Sequence, residues 1–436
     1  MIDETVDHGR GSTPAPLLGD RARREQILDT AAGVFAHSGY AATVMKDLAD
    51  ACGILPGSLY HHFASKEALM VELLKRFRAE AADVGARAMA RAYSEDHPSA
   101  PDQIVVLACA VADLSVRHRA ATHYTRYEPP TNAGAEFTTL ASDQPPEIGL
   151  AIEEILAQGR AAGDIAADID LTVLADALYI LMQGVGLGVL HENDDPRATA
   201  ETLAYLVLGG IAGPDQLGAE LDDSEAMAAA RREIASWNEP NSESVGDKLR
   251  LIQSAARAEF ARRGFEATTV RDIASAAGVG PGAIYRVIDS KHSLLLSIMS
   301  TYQASVSDAY DAVVDSVSTA VEKIDALAWV NVNVVETFRD EFKIQSAYLR
   351  VIAPASGNAE WAPHERRAKQ LLGVVTDGVR AGQLQAGGMA PSPSNALLAR
   401  CVRDLMWPAH VVHRFGKEVA MDLCRKSLIH GITRRV

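Results

Sequence analysis

The chain has 436 residues, a formal net charge of −15 and a hydrophobic content of 48%. That length exceeds one ordinary domain and fits two or three. An apolar fraction near one half supplies packed cores and excludes a wholly disordered chain. The acidic total argues against indiscriminate binding of nucleic acid, but it is compatible with a small basic face on an acidic body.

The composition predicts an all-α protein, because alanine is abundant and aromatic residues make up only 6%. No uncharged apolar run reaches the roughly 18 residues that span a bilayer. The N-terminal residues lack the basic start and apolar stretch of a secretory signal. The four cysteines form neither a CxxC pair nor a cluster with histidine. These features predict a cytoplasmic protein with no structural metal and no disulfide framework.

The chain contains an internal repeat. Residues 39–69 read GYAATVMKDLADACGILPGSLYHHFASKEAL, and residues 264–294 read GFEATTVRDIASAAGVGPGAIYRVIDSKHSL. The two copies align without a gap at an offset of 225 positions, with similarity far above chance. The chain is therefore predicted to consist of two homologous halves, about 21–212 and 246–436.

The match continues more weakly downstream. Gly159 and Gly163 correspond to Gly378 and Gly382, and a long apolar run with helical pattern follows each pair. The spacing Gly-x-x-x-Gly indicates a helix end and turn here rather than a membrane motif. Between the halves lies an acidic segment bounded by Gly-Pro and Asn-Glu-Pro-Asn, which predicts a linker with a helical centre.

Within the first copy, the elements follow one another in a recognisable order. A helix with one apolar face ends at Gly39, and a short helix from Lys46 to Cys52 is stopped by Gly53. Pro56 then opens a second short helix, since proline suits a first helical turn. Short helix, glycine turn, short helix is the helix-turn-helix pattern, whose second helix lies in the major groove of DNA.

Both copies carry the motifs G-[YF]-x-A-T, [KR]-D-[LI]-A, G-x-x-P-G-x-[LI]-Y and S-K. In these motifs the chain resembles the TetR family of transcriptional repressors. The resemblance implies two tandem TetR-like units, each with a three-helix DNA-binding domain followed by helices that bind a small ligand and dimerise. It implies a regulator rather than an enzyme, with no cofactor, and double-stranded operator DNA as partner.

The resemblance also implies an order of domains along the chain. The implied order is a disordered tail 1–20, helix-turn-helix domain 21–70, ligand and dimerisation domain 71–212, linker 213–245, helix-turn-helix domain 246–295, and ligand and dimerisation domain 296–436.

The resemblance implies DNA contacts at particular positions of the motif. These positions are the start of the second helix and the tip of the recognition helix, with phosphate contacts from the end of the recognition helix and from the fourth helix. Cations and helix N-termini hold phosphates, and small residues let the protein approach the bases. In the first copy these residues are Thr43, Lys46, Leu55, Pro56, Gly57, Ser58, Tyr60, His61 and Lys66. In the second copy they are Thr268, Thr269, Arg271, Gly280, Pro281, Gly282, Ala283, Tyr285, Arg286 and Lys291.

The two copies differ in ways that predict different half-sites. Thr269 begins a capping pattern, whereas the first copy has Val44 there, so Thr43 is expected to cap the helix or its start frays. Arg286 replaces His61 and is always charged, unlike histidine. Leu55 becomes Gly280, which removes an apolar contact such as one to a thymine methyl.

Aromatic residues in the middle of each half are expected to line the ligand pocket implied by the resemblance, although plain core positions are the alternative. These candidates are Tyr124, Tyr127, Phe137, Trp329, Phe338, Phe342, Tyr348, Trp361 and Trp407. The run Gly184-Val-Gly-Leu-Gly188 is similar to a dinucleotide fingerprint, but no strand precedes it, so close helix packing is the better interpretation. The sequence shows no catalytic set.

TetR proteins dimerise through their last two long helices, and here one chain carries both pairs. We expect helices near 171–191 and 197–211 to pack on helices near 394–413 and 418–432 as an intramolecular pseudo-dimer. That arrangement would hold the two recognition helices about 34–36 Å apart, one turn of DNA. A dimer of such chains, with four heads on a longer operator, remains the alternative.

Few charges in the body helices predict a hydrophobic effector. The tandem arrangement is similar to that of the actinobacterial repressors of mammalian-cell-entry operons. This resemblance implies control of lipid or sterol transport and metabolism, with an acyl-CoA, a fatty acid or a sterol derivative as the effector. A DNA-organising protein without a ligand, or a regulator with one functional head, are the alternatives. The second head, which lacks His-His-Phe, is then the candidate for loss of DNA binding.

Overall fold

The computed structural model describes residues 17–40, 43–96, 98–126, 133–142, 145–192, 195–237, 247–265, 267–286, 288–351, 362–386, 389 and 392–433. Within these ranges the secondary structure is helical, apart from two isolated β-bridges. The prediction of an all-α fold is confirmed. None of the helices described is both long enough and apolar enough to cross a membrane.

The first half is built from ten helices within the described ranges. They are α1 (Leu17–Ser38), α2 (Met45–Ala51), α3 (Pro56–His62), α4 (Lys66–Ala92), α5 (Ala100–Arg117), α6 (Arg119–Arg126), α7 (Ala135–Ser142), α8 (Pro146–Ala162), α9 (Leu171–Glu192) and α10 (Pro196–Gly209). Helix α1 begins at Leu17, before the position 21 at which the first domain is predicted to start.

A linking helix and the second half follow. These helices are α11 (Glu225–Ser236), α12 (Asp247–Arg263), α13 (Val270–Ala276), α14 (Pro281–Ile284), α15 (Lys291–Asp315), α16 (Ala320–Thr337), α17 (Arg339–Val351), α18 (Ala362–Arg380), α19 (Asn395–Leu405), α20 (Ala409–Phe415) and α21 (Lys417–Cys424). Helix α21 continues directly into a π-helical segment, Arg425–His430.

The same start and stop signals shape matching helices in the two halves. Ser65 caps α4 through the amide of Ala68, and Ser290 caps α15 through the amide of Ser293. At the other end of the body, Gly163 follows α8 with a φ of +87° and adopts the left-handed conformation that glycine tolerates. The predicted helix end and turn at this position are therefore confirmed.

Helix α5 forms the centre of the first body and packs against α4, α8, α9 and α10. The matching helix α16 packs against α15, α18, α20 and α21. Helix α11 also packs on α15 and α16, and it buries Ala226, Met227, Ala229 and Ala230. The segment predicted as a linker is thus partly core of the second half, because its small apolar side chains fit against two long helices.

The two halves contact each other through equivalent segments near their C-terminal ends. A β-bridge joins Ile165 of the first half to Thr433 of the second, and another joins Ala212 of the first to Leu384 of the second. Between them, α10 packs on α19 and on the π-helical segment, and α9 packs on α20. The chain is therefore folded as an intramolecular pseudo-dimer with an interface of approximate two-fold symmetry.

The helix expected near 394–413 is interrupted. Helix α19 ends at Leu405, and α20 begins only at Ala409. Pro408 explains the break, because proline lacks an amide hydrogen and disfavours helical geometry at the residue before it. The expectation of one continuous helix was wrong, although the predicted contact with the first half is present through both fragments.

Candidate nucleic-acid interface

The first head consists of α1, α2 and α3, held to α4 by a shared core. Leu48 of α2, Leu59 of α3 and Phe63 just after it are buried. Gly53 makes the turn between α2 and α3 with a φ of +64°. This buried inner face leaves the opposite face of α3 free, which is the arrangement that a recognition helix needs.

The tip of α3 stands open to solvent. The Leu55 side chain is 79% exposed, and Tyr60 is 53% exposed. Gly57 and Ser58 are also exposed, and a Cβ added to Gly57 would meet no atom within 4 Å. Pro56 is half-buried at the first helical position. The predicted contacts at this tip are therefore accessible to a ligand as large as DNA.

The second head repeats this geometry around a hydrophobic core of its own. Gly278 makes the corresponding turn with a φ of +65°, and Tyr285 is 61% exposed. A Cβ added to Gly280 or Gly282 would meet no atom within 4 Å. Ala283 is half-buried, and the side chain of Pro281 lies outside the described residues. Helix α14 spans only four residues, where α3 spans seven.

Unpaired cations border both tips. Lys46 on α2 and the matching Arg271 on α13 are exposed, and neither forms an ion pair within the described part of the chain. Arg286 is likewise exposed and unpaired there, and His61 is exposed. Exposed cations without internal partners can neutralise phosphates at little cost in internal contacts.

Two of the predicted contact residues are buried instead. Thr43 and Thr268 are each 1% exposed. The Thr43 hydroxyl donates to the carbonyl oxygen of Gly39 at 2.7 Å, and the Thr268 hydroxyl donates to that of Gly264 at 2.8 Å. Their prediction as DNA contacts was wrong, because both hydroxyls close the turn after the first helix of the head.

The predicted phosphate contacts from the fourth helices also have another role. The Lys66 ammonium donates to the carbonyl oxygens of Tyr40 and Thr43 at 2.7 and 2.8 Å, and it lies 4.2 Å from the Tyr40 ring centroid. Lys291 repeats both hydrogen bonds, to Phe265 and Thr268. Burial lowers the pKa of Lys66. These lysines are internal caps that use two of three ammonium donors, and a phosphate contact through the third donor stays a prediction.

The capping prediction holds in one head and fails in the other. The Thr269 hydroxyl accepts from the amide of Asp272, whose carboxylate accepts from the amide of Thr269 at 2.8 Å. Hydrogen bonds to this carboxylate from the Thr269 hydroxyl, at 2.6 Å, and from the Thr269 amide hold the pKa of Asp272 below its usual range. In the first head the capping position is Val44, not Thr43, and only the Asp47 carboxylate contributes, at 2.9 Å from the Val44 amide.

The two heads are joined to their bodies differently. In the first half the rings of Tyr40, Tyr124 and Phe137 contact one another with centroids 5.4 to 5.8 Å apart. In the second half Arg257 of α12 donates to Glu341 of α17 at 3.0 Å. Tyr124 and Phe137 thus take part in a joint between head and body, and their place in a ligand pocket stays a prediction.

The remaining pocket candidates, apart from Tyr127, lie in the second half. Phe338 contacts the rings of Trp237 and Tyr302, with centroids 5.2 and 5.4 Å away. Phe342 stacks on Trp407 at 5.5 Å, which joins α17 to the segment after α19. Trp329 is half-buried on α16. Tyr127, Trp361 and the side chain of Tyr348 lie outside the described residues.

A buried polar cluster escaped the sequence analysis. It consists of Tyr302, Gln303, Tyr310, Asn331, His364 and Arg367 and is called the polar cluster below. Arg367 is 6% exposed and donates to Gln303 Oε1 at 2.9 Å. Its second amino group contacts Ser307 Oγ at 3.1 Å. A comparison of the two halves position by position would have revealed the cluster, because the first half is apolar at most of these places.

Burial and positive charge shift the titration of this cluster. Burial, with Arg367 and Arg403 nearby, lowers the pKa of His364 to about 3. The imidazole is therefore neutral at physiological pH, and its Nδ1 lies 3.2 Å from the Arg367 guanidinium. Burial also lowers the pKa of Arg367 itself, and it raises the pKa of Tyr302.

The chain is similar to known proteins in its sequence. The family profile "Bacterial regulatory proteins, tetR family" matches residues 27–73 and 252–298. The HTH-type transcriptional repressor KstR2 of Rhodococcus jostii (strain RHA1) is 33% identical over 213 residues, covering 46% of this chain and 98% of that protein. The HTH-type transcriptional repressor Rv1474c of Mycobacterium tuberculosis (strain ATCC 25618 / H37Rv) is 29% identical over 182 residues, covering 42% and 89%.

Among solved structures, that of the ketosteroid transcriptional regulator KstR2 of Mycobacterium tuberculosis aligns with a TM-score of 0.35 and 23% identity, covering 42% of this chain and 91% of that one. The profile match falls on both heads, and the relative from Rhodococcus jostii is matched over nearly its whole length by less than half of this chain. The chain belongs to the TetR family of bacterial regulatory proteins and carries the family's DNA-binding unit twice.

Proposed function

We propose that this protein is a transcriptional repressor in which a single chain binds one operator with two different heads. The observation that carries the proposal is the reciprocal contact between the halves, in which Ile165 meets Thr433 and Ala212 meets Leu384. This interface occupies the surface through which TetR subunits pair. One chain then supplies both recognition helices, and a second chain is not needed.

The heads differ at the positions that would face the bases. Leu55 offers an apolar side chain where Gly280 offers none, and His61 is replaced by the permanently charged Arg286. An apolar side chain favours a thymine methyl, and a guanidinium favours guanine or phosphate. The operator is therefore expected to be imperfectly palindromic or non-palindromic, with one half-site for each head.

This proposal is tested with the natural operator, found by mapping the protein on its genome. Each half of the operator is scrambled separately, and binding is measured by fluorescence anisotropy. We expect either change to weaken binding strongly. Exchange of the two half-sites is expected to weaken binding only if the protein cannot bind the operator in the reverse orientation. Light scattering measures the mass of the complex: two chains on one pair of half-sites would contradict the single-chain arrangement.

Release from DNA is expected to follow binding of a small hydrophobic effector. In the first half, α5, α9 and α10 enclose an apolar crevice lined by Ala108, Leu178, Met182, Leu203 and Val207, which has only about 10 Å³ of free space. That is room for at most one water molecule. An effector must therefore prefer an opened body whose heads no longer fit the operator, since equal affinity for both forms would change nothing.

The chemical class of effector that we propose is an acyl-CoA, a fatty acid or a sterol derivative. Control of lipid or sterol transport and metabolism, including mammalian-cell-entry operons, is part of the same proposal. Gel shifts with the natural operator in the presence of such compounds test it. Release by polar metabolites only would contradict the class of effector, and no release by any compound would favour a DNA-organising protein instead.

One observation favours a second candidate function, a regulator with only one active head. Helix α14 is a single turn long, whereas α3 has seven residues. The substitutions Tyr60→Ala and Tyr285→Ala separate the two cases, because both side chains are more than half exposed. If both heads bind, each substitution weakens binding; if only the first head binds, Tyr285→Ala leaves the affinity unchanged.

A further inference from the structure

The second half contains a cation in its interior. Arg367 projects from α18 toward α15 and is 6% exposed, yet it forms no ion pair with a carboxylate among the residues that the structure describes. Its contacts there are neutral: Gln303, Ser307 and His364, with the Tyr310 ring centroid 5.8 Å away. An interior charge without a counter-charge is costly and is retained where it has a task.

Other donors around Arg367 are unused. The amide nitrogen of Asn331 is buried and has no hydrogen-bond partner among the described residues, although Asn331 Oδ1 accepts from Tyr310 at 2.9 Å. The Tyr302 hydroxyl is buried as well and makes no hydrogen bond of normal geometry there, although Gln345 lies close enough to offset part of the rise that burial causes in its pKa. A guanidinium without a counter-charge and two unused donors form a set that suits an anion, because an anion supplies both negative charge and acceptors.

The fold itself does not require these polar groups. Helices α4 and α15 match from Lys66 and Lys291, and Tyr302 then corresponds to Phe77, which is fully buried. Helices α5 and α16 match from Ala100 and Ala320, so Asn331 corresponds to the buried Val111.

The third position shows the same difference. Gly159 and Gly378 align α8 with α18, and Arg367 then corresponds to Ile148, which is 0% exposed. At these three positions one half has an apolar core and the other a polar one, in helices that are otherwise equivalent. The polar cluster is therefore a feature of the second half alone, and the first half shows that the fold is stable without it.

We propose that the polar cluster is an effector site that binds the carboxylate of an amphipathic acid, with Arg367 as the principal ligand-binding residue. Arg367 offers paired donors that suit a carboxylate, and the Asn331 amide and the Tyr302 hydroxyl offer one donor each. This inference rests on the proposed function, because it makes the second half the part that senses the effector.

A carboxylate fits this interior better than a phosphate ester. A single negative charge neutralises the single charge of Arg367, whereas a phosphate dianion would leave a second charge buried. The side chains next to the cluster along the same helices, such as Val306, Val313 and Val334, are buried and apolar. The proposed ligand therefore combines one carboxylate with a hydrocarbon body.

The cluster is connected to the second head through α17. Gln303, which accepts from Arg367, donates to Gln345 of α17 at 3.0 Å. One helical turn earlier, Glu341 accepts from Arg257 of the second head at 3.0 Å, and Ile344 packs in that head's core. A ligand that draws Arg367 away from Gln303 changes a hydrogen bond on the helix that holds the head.

The test measures ligand binding without DNA. The full chain is titrated with decanoate and with cholate, two acids with different hydrocarbon bodies, and each is compared with its methyl ester by calorimetry and by thermal shift. We expect at least one acid to bind and its ester to bind at least tenfold more weakly. If neither acid binds, or if the esters bind as well as the acids, the proposal is overturned.

Substitutions identify the residue responsible. Arg367→Met removes the charge at similar length and is expected to weaken binding of the acid at least tenfold, while Arg366→Met is the matched control. Arg366 is the neighbouring residue, is exposed, and pairs with Asp311 at 2.6 Å. Equal binding by wild type and Arg367→Met would overturn the proposal.

Thermal unfolding separates a ligand site from a structural network. A buried charge in an empty ligand site lowers the stability of the folded protein, so Arg367→Met is expected to unfold at the same temperature as the wild type or at a higher one. A large fall in that temperature together with unchanged binding would assign Arg367 a purely structural role. Should Arg367→Met fail to fold, Arg367→Lys keeps the charge but loses the paired donors, and the same loss of binding is expected.

A second substitution examines the connection through α17. Glu341→Gln weakens the ion pair with Arg257, and Glu341 is not one of the residues of the polar cluster. We expect this variant to bind the acid as the wild type does and to show a smaller ligand-induced loss of affinity for the second half-site. These binding data are independent of DNA, so a protein that binds acid but not DNA would contradict the proposed repressor function and leave the effector site standing.

Discussion

Gly210 and Gly431 lie back to back where the two halves meet. A Cβ added to Gly210 would lie 2.5 Å from the amide nitrogen of Gly431, and a Cβ added to Gly431 would lie 2.5 Å from the amide nitrogen of Gly210. Their φ angles are +69° and +80°, so both residues occupy conformations that glycine alone adopts easily. The pair marks the pseudo-symmetric contact that makes one chain equivalent to a dimer.

Gly210→Ala is expected to destabilise the protein by about 2–4 kcal/mol, because it adds backbone strain to a clash between main chains. Thermal or urea unfolding measures the loss. Gly33→Ala is the control, since Gly33 lies in α1 with no atom within 4 Å of an added Cβ. That change should be neutral or stabilising by about 0.5–1 kcal/mol. Equal stability of the two variants would contradict the close contact at Gly210.

Gly57→Ala and Gly282→Ala are expected to leave stability unchanged and to weaken DNA binding by about 1–3 kcal/mol each, the scale of a lost base contact. An added methyl group meets no protein atom at either position, so only DNA can sense it. Anisotropy titrations with the operator measure the effect. Gly149→Ala, a similarly open glycine in α8, is the control, and equal affinity for all three variants would argue against tip contacts.

The two heads allow an exchange of caps. Thr269→Val, which installs the residue of the first head, is expected to destabilise the second head by about 1 kcal/mol. Val44→Thr is expected to stabilise the first head by a similar amount, because the Asp47 carboxylate already occupies its half of the reciprocal pattern. Hydrogen exchange of the amides in α2 and α13 reports each head separately. The two substitutions are expected to change the stability of their heads in opposite directions. Destabilisation of both heads would contradict this prediction.

Lys66 and Lys46 are predicted to differ in what they affect. Lys66→Met removes two hydrogen bonds to main-chain carbonyls, so the first head should unfold at a lower temperature. Lys46→Met should leave unfolding unchanged and lower the slope of log affinity against log salt by about 1, since one phosphate contact is lost. Circular dichroism and salt-dependent anisotropy measure these effects. A salt slope that changes only in Lys66→Met would reverse the assignment.

His364 should make the stability of the second half depend on pH. Its pKa in the folded protein is about 3, whereas the unfolded chain has the usual value of 6.5. The unfolded state therefore takes up a proton first, and stability falls as the pH drops from about 6.5 toward 3, by up to about 1.4 kcal/mol per unit. Urea unfolding at several pH values measures this fall, and His364→Gln should flatten it. An unchanged slope in the variant would show that other groups are responsible.

Several features could be predicted from the sequence because they depend on local spacing. The glycine turn at Gly53, the Thr269 cap and the repeated motif all involve residues a few positions apart, and the structure has them as expected. Each is controlled by backbone conformation or by a hydrogen bond within one turn, so no knowledge of distant contacts is needed.

Other features could not be predicted because they depend on neighbours distant in sequence. The sequence does not show that the carbonyl oxygens of Tyr40 and Thr43 surround the Lys66 ammonium. It predicts a linker where the small residues of helix α11 pack against α15 and α16. The contact between the rings of Tyr124 and Tyr40 likewise joins residues far apart in the chain.

The sequence by itself determined that this is an all-helical chain with two helix-turn-helix heads, because repetition and helical periodicity are properties of the order of residues. Only the tertiary structure decided which exposed cations remain available to DNA, and which residue is a buried cation without a counter-charge in the part of the chain that the structure describes. The physical reason is that the energy of a charge depends on what surrounds it in space. Arg366 and Arg367 are adjacent in the chain, yet one pairs with Asp311 at the surface and the other is enclosed among neutral groups.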